Sequence, residues 1–391
     1  MISPLATSAT PEKQFGVSSR ANVLHLIAPG EVGGAESVVR LLASRQRSLG
    51  ARVGVAAIVQ SESGAADLLK ALEDAGVETH RVRVGGRDYR RERKAIAALC
   101  NETAPDIVHS HGYRADVVDS MHVRRDVPIV TTVHGFTGGD QRNRLYQWLQ
   151  CLSYRRFDAV VAVSEPLRGQ LARRIGSSHL HLLPNAYSPD EAILSRASAR
   201  AALGVPNDDF LVGWVGRLSR EKGPDVLLDA LAHAEMPTGM RAIFLGDGPL
   251  STTLRERAAH LGLGQRISWT GSVPNAGRLL SAFDVFVLSS RTEGTPMVIL
   301  EAMAAEVPII ATRVGGVPDV LAAGTALLVS PDSPSELGKA IRAVLTDRGA
   351  AMSRARAARR RLDAEYRADV WADRYENIYQ HARARAAQRL S

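Results

Sequence analysis

Short apolar runs and helix-length amphipathic segments alternate along almost the whole chain, and this alternation limits the fold more than any other feature. In the first half the runs are NVLHLIA (22–28), RVGVAAIV (52–59), DIVHSH (106–111), PIVTTVH (128–134), AVVAVS (159–164) and HLHLLP (179–184). Helical patterns lie between them, as at 35–48, 64–76 and 165–175. Strands that are apolar throughout are buried on both faces, which places them in a parallel sheet covered by helices on either side. A polar stretch containing Pro189 and Pro206 interrupts the pattern. It then restarts with FLVGWVG (210–216), RAIFLGD (241–247), RISWTG (266–271), DVFVLSS (284–290) and VPIIAT (307–312). The expectation is an α/β chain of two tandem doubly wound, Rossmann-like domains with a central cleft between the C-terminal edges of their sheets. The expected divisions are a disordered leader (1–20), a first domain (21–190), a linker (191–209), a second domain (210–365) and a closing helix (366–391).

Two cores also suit the length, because 391 residues exceed one ordinary core. No apolar run approaches the ~18–20 residues that span a bilayer. The leader is rich in Ser, Thr and Pro and lacks the continuous apolar stretch of a signal peptide. Cys100 and Cys151 are the only cysteines, which argues against a disulfide framework and for a reducing, cytoplasmic setting. Much of the net charge of +8 sits at the end of the chain, with eleven arginines against five acids from Arg348 to Ser391. Interspersed acids give that segment the look of a solvated helical face, and no aromatic platform for stacking bases accompanies it. Nucleic acid is therefore not an expected partner.

The restarted half carries the chemistry. VGRLSREKG (215–223) follows a buried strand and precedes a helical segment, so Arg217 and Lys222 fall at a strand end, where the cleft lies. Two cations, flanking glycines and a helix N-terminus suit a diphosphate, although an exposed loop with ordinary surface charges is the plainer alternative. LGDGP (245–249) and GSVP (271–274) are further turns at strand ends. In RTEGTPMVILEAMA (291–304), Pro296 suits a helix start near Thr295–Pro296, leaving the amides of Met297 and Val298 open to an anion. Glu293 then lies in the cleft loop, and Glu301 sits one to two turns into the helix. A carboxylate accepts two hydrogen bonds, which fits a vicinal diol such as that of ribose. Surface placement with a favourable helix dipole accounts for both acids equally well.

In the first half, PGEVGGAESVVRLLA (29–43) holds Gly33 and Gly34 in a turn that permits close ligand approach. It is not the GxGxxG of dinucleotide sites. His134 ends a strand beside Gly135, another cleft position. His109 and His111 share one strand face, but no Asp, Glu or Cys at ligand spacing supports a metal site. No Asp-x-Asp occurs, so Arg217 and Lys222 stand where a metal would otherwise neutralise a diphosphate, and no cofactor or metal is expected.

Taken together these stretches resemble the family-four retaining glycosyltransferases of GT-B architecture, glycosyltransferase group 1. The resemblance rests on GGAE (33–36), DIVHSHG (106–112), TVHG (132–135), AVSE (162–165), LPNA (183–186), VGRLSREKG (215–223), GDGP (246–249) and EGTPMVILEAMA (293–304), in the family's order over roughly 22–346. It implies that Arg217 and Lys222 neutralise the donor diphosphate, with Thr295, Met297 and Val298 at the helix start. It places Glu301 on the ribose, and Glu293 and His134 beside the donor sugar. The Gly33–Gly34 loop would close over the phosphates and admit the acceptor. The first domain becomes the acceptor side and the second the donor side, and the helix around Trp371–Ala387 would cross back onto the first domain.

Two departures stand out. Glu306 occupies a helix end where the family usually has Gly, at a cost of about 1 kcal/mol in local stability. The family's Asn-Gly-Val-Asp appears as Asn185-Ala186-Tyr187-Ser188, which leaves that place without an acid.

The implied activity is transfer of a sugar from a UDP- or GDP-sugar to a glycan or lipid-linked acceptor in cell-surface glycan, exopolysaccharide or glycolipid synthesis. A nucleotide-sugar epimerase and a non-catalytic sugar-nucleotide-binding protein share the architecture. Peripheral membrane contact at the inner face of the cell membrane would fit a lipid-linked acceptor. RNRLYQWLQCLSYRRF (142–157) joins Arg142, Arg144, Arg155 and Arg156 to Trp148. The spacing of Leu145, Trp148, Leu149 and Leu152, however, predicts a core-facing helix.

Overall fold

The computed structural model describes residues 20–29, 34–60, 65–85, 88–120, 123–124, 126–135, 141–188, 192–233, 237 and 239–390, the side chains of 141–144, 233 and 390 excepted. Leader residues 1–19 and Gly33 lie outside these residues, as do Pro189 and the Arg142 and Arg144 side chains. Two all-parallel sheets form the framework. The first has seven strands: β1 (Val23–Ile27), β2 (Val53–Val59), β3 (Glu78–Arg83), β4 (Ile107–His111), β5 (Ile129–Val133), β6 (Ala159–Ala162) and β7 (Leu180–Leu182), in the order β3-β2-β1-β4-β5-β6-β7. The second has six: β8 (Phe210–Val215), β9 (Met240–Leu245), β10 (Ile267–Gly271), β11 (Val285–Leu288), β12 (Ile309–Thr312) and β13 (Leu327–Val329), in the order β10-β9-β8-β11-β12-β13.

Central strands are buried at every residue, as their unbroken apolar runs predict. β3 and β13 escape the apolar-run reading. β3 reads ETHRVR at a sheet edge and is largely unburied, and β13 has three residues. Chain order reverses between β1 and β4 and again between β8 and β11. Ligands of open parallel sheets bind at such switch points, beyond the carboxyl ends of the strands.

The polar stretch between the sheets is partly helical. A helix at Arg196–Leu203 begins at Ser195, where the hydroxyl accepts from the Ser198 amide (3.2 Å). It belongs to the second sheet, because fully buried Arg200 donates to Asp284 (2.8 Å) and to the carbonyls of Ala282, Pro206, Asn207 and Asp209 (2.6–3.0 Å). A long helix, Ala368–Leu390, lies on the first sheet. Its Trp371, Tyr375, Ile378, Tyr379 and Ala382 pack with Val23, Val38, Leu42, Ile107, Val130 and Val161. Each large side chain buried this way stabilises by about 1.5–3 kcal/mol. An Arg45–Asp369 ion pair joins the long helix to the first helix (Gly34–Ser48).

Candidate active site

Loops at the carboxyl ends of β5, β8 and β11 come together, with Lys222 on Glu293 and Gly294 against the His134 carbonyl. After β8 the chain makes a tight helical turn at Arg220–Lys222 and closes it with Gly223 at φ +62°. A Cβ at Gly223 would strike the Ser289 carbonyl oxygen, so only glycine fits there. The turn aims Lys222 across at Glu293, and Nζ donates to both carboxylate oxygens (2.7 and 2.9 Å). Ser290 Oγ donates to Glu293 Oε1 as well (2.6 Å), and the carboxylate is nearly buried at 6% exposure. Arg291 clips the same loops together. Its guanidinium donates to Asp225 (2.9 and 2.7 Å), Asp332 (2.6 Å) and the Arg220 carbonyl (2.6 Å), and its amide donates to the Glu221 carbonyl (2.8 Å). Hydrogen bonding to Asp225 holds the Arg291 guanidinium still more firmly protonated. Arg217 is exposed, and its guanidinium bonds to no described residue.

The helix after β11 runs Met297–Ala304 and is preceded by Pro296 with ψ 121°, so Pro296 sits one place outside the helix rather than in its first turn. The Ile299 amide donates to the Pro296 carbonyl (3.1 Å), while the amides of Met297 and Val298 find no partner among the described residues. Glu301 lies half-buried on this helix against Gly277, where a Cβ would stand 3.0 Å from Glu301 Cδ. Thr295 differs from its expected diphosphate role. Its hydroxyl donates to the Val163 carbonyl in the first domain, and its own carbonyl accepts from Asn185 Nδ2 (3.0 Å), so the side chain is spent on the seam between the sheets. Gly294 belongs to the same seam, with the space beside it filled by the His134 carbonyl.

His134 faces this group from the end of β5 and is half-buried, with Nε2 3.4 Å from His111 Nδ1. Burial lowers its pKa to about 4, so it is a neutral imidazole at neutral pH. Gly34 opens the first helix. Behind His134, His25, His109 and His111 are buried with ring nitrogens within 4.8 Å of one another, the one group among the described residues close enough to hold a metal ion. Hydrogen bonds already occupy these nitrogens: His25 bonds His111 (3.0 Å) and Gln46 (2.8 Å), and His109 bonds Tyr379 and Thr132 (2.9 Å each). The paired His109 and His111 face was legible in the sequence, but His25, Gln46, Tyr375 and Tyr379 were not identified. The available signal was a single histidine inside the buried strand VLHLI. Ser290, Arg291 and Asn185 were missed as well, although the first two adjoin Glu293.

The family model for glycosyltransferase family 4 matches residues 32–191, and the model for glycosyl transferases group 1 matches 195–361. The putative teichuronic acid biosynthesis glycosyltransferase TuaC of Bacillus subtilis is 32% identical over 256 residues, covering 61% of this chain and 60% of that protein. The lipopolysaccharide core biosynthesis mannosyltransferase LpsB of Rhizobium meliloti is 31% identical over 226 residues, 54% of this chain and 62% of that one. The matched stretches thus span less than two thirds of these curated relatives. Anabaena HepE, solved in complex with UDP-glucose, superposes with a TM-score of 0.78 at 22% identity, covering 90% of this chain and 98% of that one. Sucrose-phosphate synthase from Thermosynechococcus elongatus gives 0.78 at 20% identity, covering 92% and 98%. The two family models meet at the junction between the sheets and together take in every strand but β1, and by them the chain belongs to the family-four, group 1 glycosyltransferases of GT-B fold.

Proposed function

We propose that this chain transfers a sugar from a nucleotide-diphosphate donor to an acceptor hydroxyl with retention at the anomeric carbon. The observation that carries the reading is the Lys222–Glu293 pair beside the open Met297 and Val298 amides, on a loop whose Gly294 packs against the His134 carbonyl. In this reading the diphosphate lies against Arg217, Lys222 and the helix start, where its growing negative charge is stabilised as the anomeric C–O bond breaks. Glu301 accepts from the ribose hydroxyls. Glu293 anchors Lys222 and turns its remaining acceptor capacity to the donor sugar. The acceptor oxygen forms the new bond on the face the diphosphate leaves, and its proton passes to the departing phosphate oxygen. His134, being neutral, serves as a hydrogen-bonding partner for the sugar and not as a cation.

A UDP-sugar is the first donor to try, because HepE was solved with UDP and with UDP-glucose. TuaC and LpsB are named for surface-polymer synthesis, which supports a glycan or lipid-linked acceptor. The test is turnover of Lys222→Ala, Glu293→Ala and His134→Ala with the donor chosen by a thermal-shift panel of UDP-, GDP- and ADP-sugars. Each substitution should lower kcat by about 10²-fold or more. Near-wild-type rates for all three would sink the site assignment.

A membrane-surface contact is a second part of the reading, supported by one finding. On the helix Gln141–Ser153, Leu145, Trp148 and Leu152 are exposed by 54%, 59% and 46%, where their spacing had predicted a core-facing stripe. Exposed Arg155 and Arg156 follow at once. Apolar anchors beside cations suit an anionic lipid surface. No helix among the described residues is long and apolar enough to cross a membrane.

A further inference from the structure

His25 on β1 stands opposite His109 on β4 in the sheet register, and His111 lies two residues further along on the same face. From His134 a chain of hydrogen bonds runs inward. His134 Nε2 meets His111 Nδ1 (3.4 Å), His111 Nε2 meets His25 Nδ1 (3.0 Å), and His25 Nε2 meets Gln46 Oε1 (2.8 Å). Gln46 Nε2 donates to the Tyr379 hydroxyl (3.0 Å), which also meets His109 Nδ1 (2.9 Å). His109 Nε2 meets Thr132 Oγ1 (2.9 Å), which meets the Tyr375 hydroxyl (2.9 Å). The network therefore links the cleft to the long helix Ala368–Leu390 through the first helix.

Burial lowers the pKa of His25 and His134 to about 4 and those of His109 and His111 well below the usual value, so all four are neutral. A neutral imidazole has one donor nitrogen and one acceptor nitrogen, so one choice of direction propagates along the whole chain. With the Gln46 oxygen toward His25, His25 carries its proton on Nε2 and accepts at Nδ1. His111 must then donate from Nε2, and His134 must donate from Nε2 to His111. His134 is left with a bare Nδ1, which bonds to no described residue. Turning the Gln46 amide over reverses every bond and leaves His134 with Nδ1–H. Gln46 Nε2 donates to the Tyr379 hydroxyl, so Tyr379 is the acceptor that holds the Gln46 amide in the drawn direction, and its own hydroxyl hydrogen goes to His109 Nδ1.

We infer that Gln46 and Tyr379 are positioning residues that set the tautomer of His134, and so decide whether it offers the cleft an acceptor or a donor. The inference rests on the reading above only for its effect on rate; the tautomer itself is independent of any substrate. In the drawn direction His134 presents an acceptor at Nδ1, suited to a hydroxyl hydrogen of sugar or acceptor. A purely structural network would leave the tautomer unchanged when one member is replaced.

The test is long-range nitrogen–proton NMR of protein labelled on its histidine rings. Wild type should show His134 with its proton on Nε2. Gln46→Glu, an acceptor on both sides, should keep that form. Gln46→Met and Tyr379→Phe should each give a mixture of the two tautomers, with kcat falling about tenfold and KM changing less than twofold, the kinetic size of one hydrogen bond. Tyr379→Phe carries the test should Gln46→Met fail to fold, since it removes one oxygen from a shape-matched ring. A single Nε2–H form in both variants, or stoichiometric zinc held by His25, His109 and His111 in the purified protein, would overturn the inference. His134→Ala with a wild-type rate would instead sink the active-site reading and leave the tautomer result standing.

Discussion

Glu306 adopts φ +51°, a left-handed conformation that glycine holds without strain. It follows the helix Met297–Ala304 in a Schellman arrangement, with the Val307 amide donating to the Ala302 carbonyl (3.2 Å) and the Glu306 amide to the Met303 carbonyl (3.2 Å). The departure noted from the sequence alone thus has the strain expected of it. Glu306→Gly should raise unfolding stability by about 0.5–1 kcal/mol, read as a higher urea midpoint. Gly294 carries the opposite expectation. A Cβ there would strike the His134 carbonyl oxygen, a backbone atom that cannot swing aside, and would push the two sheets apart. Gly294→Ala should therefore cut turnover at least tenfold while circular dichroism stays native; an unaffected rate would show that the seam is not required. The sequence named Glu293 and Lys222 separately. Their contact depends on a turn and a loop 71 positions apart, which no local pattern reports.

Among elements, the helix Gln141–Ser153 shows where periodicity stops informing. Leu145, Trp148 and Leu152 repeat as a core stripe would, yet they are exposed, because spacing defines an apolar face and not what covers it. If that face meets anionic lipid, Trp148→Glu with Leu152→Glu should abolish sedimentation with phosphatidylglycerol vesicles at low salt and leave activity on a soluble acceptor intact. Wild type that stays in the supernatant would dispose of the contact. The helix Arg196–Leu203 was hidden in a stretch read as linker, since its anchoring comes from Arg200 reaching distant carbonyls and Asp284. Replacing Arg200 by Met leaves the carbonyls of Ala282, Pro206, Asn207 and Asp209 without their donor, while Asp284 keeps Arg196 (2.8 Å) and the Leu211 amide (2.7 Å), so stability should drop by about 1–3 kcal/mol in urea unfolding. β3 was missed for a simpler reason: an edge strand is half solvated, and ETHRVR lacks the apolar run that marks its neighbours.

Across the whole molecule the buried histidines link stability to pH. In the unfolded chain they take up protons below about pH 6.5, whereas the folded His25 and His134 do so only near 4. Between those values the unfolded state binds more protons, so stability is fully present above about pH 6.5 and is lost as pH falls toward 4. Urea midpoints should thus be clearly lower at about pH 5 than at about pH 7.5; equal midpoints would mean the rings titrate normally.

By itself the sequence determined the two parallel sheets, their tandem order and the loops that face the cleft. Strand burial and strand-end position are local consequences of apolar runs and turn residues, legible wherever the periodicity is strong. Only the tertiary structure decided the Lys222–Glu293 pair, the use of Thr295 in the seam and the histidine network that ends on Tyr375 and Tyr379. Each joins residues far apart in the chain, up to 333 positions between Gln46 and Tyr379. Such contacts follow from how helices and sheets stack, because only packing brings those side chains within the 2.7–3.2 Å reach of a hydrogen bond.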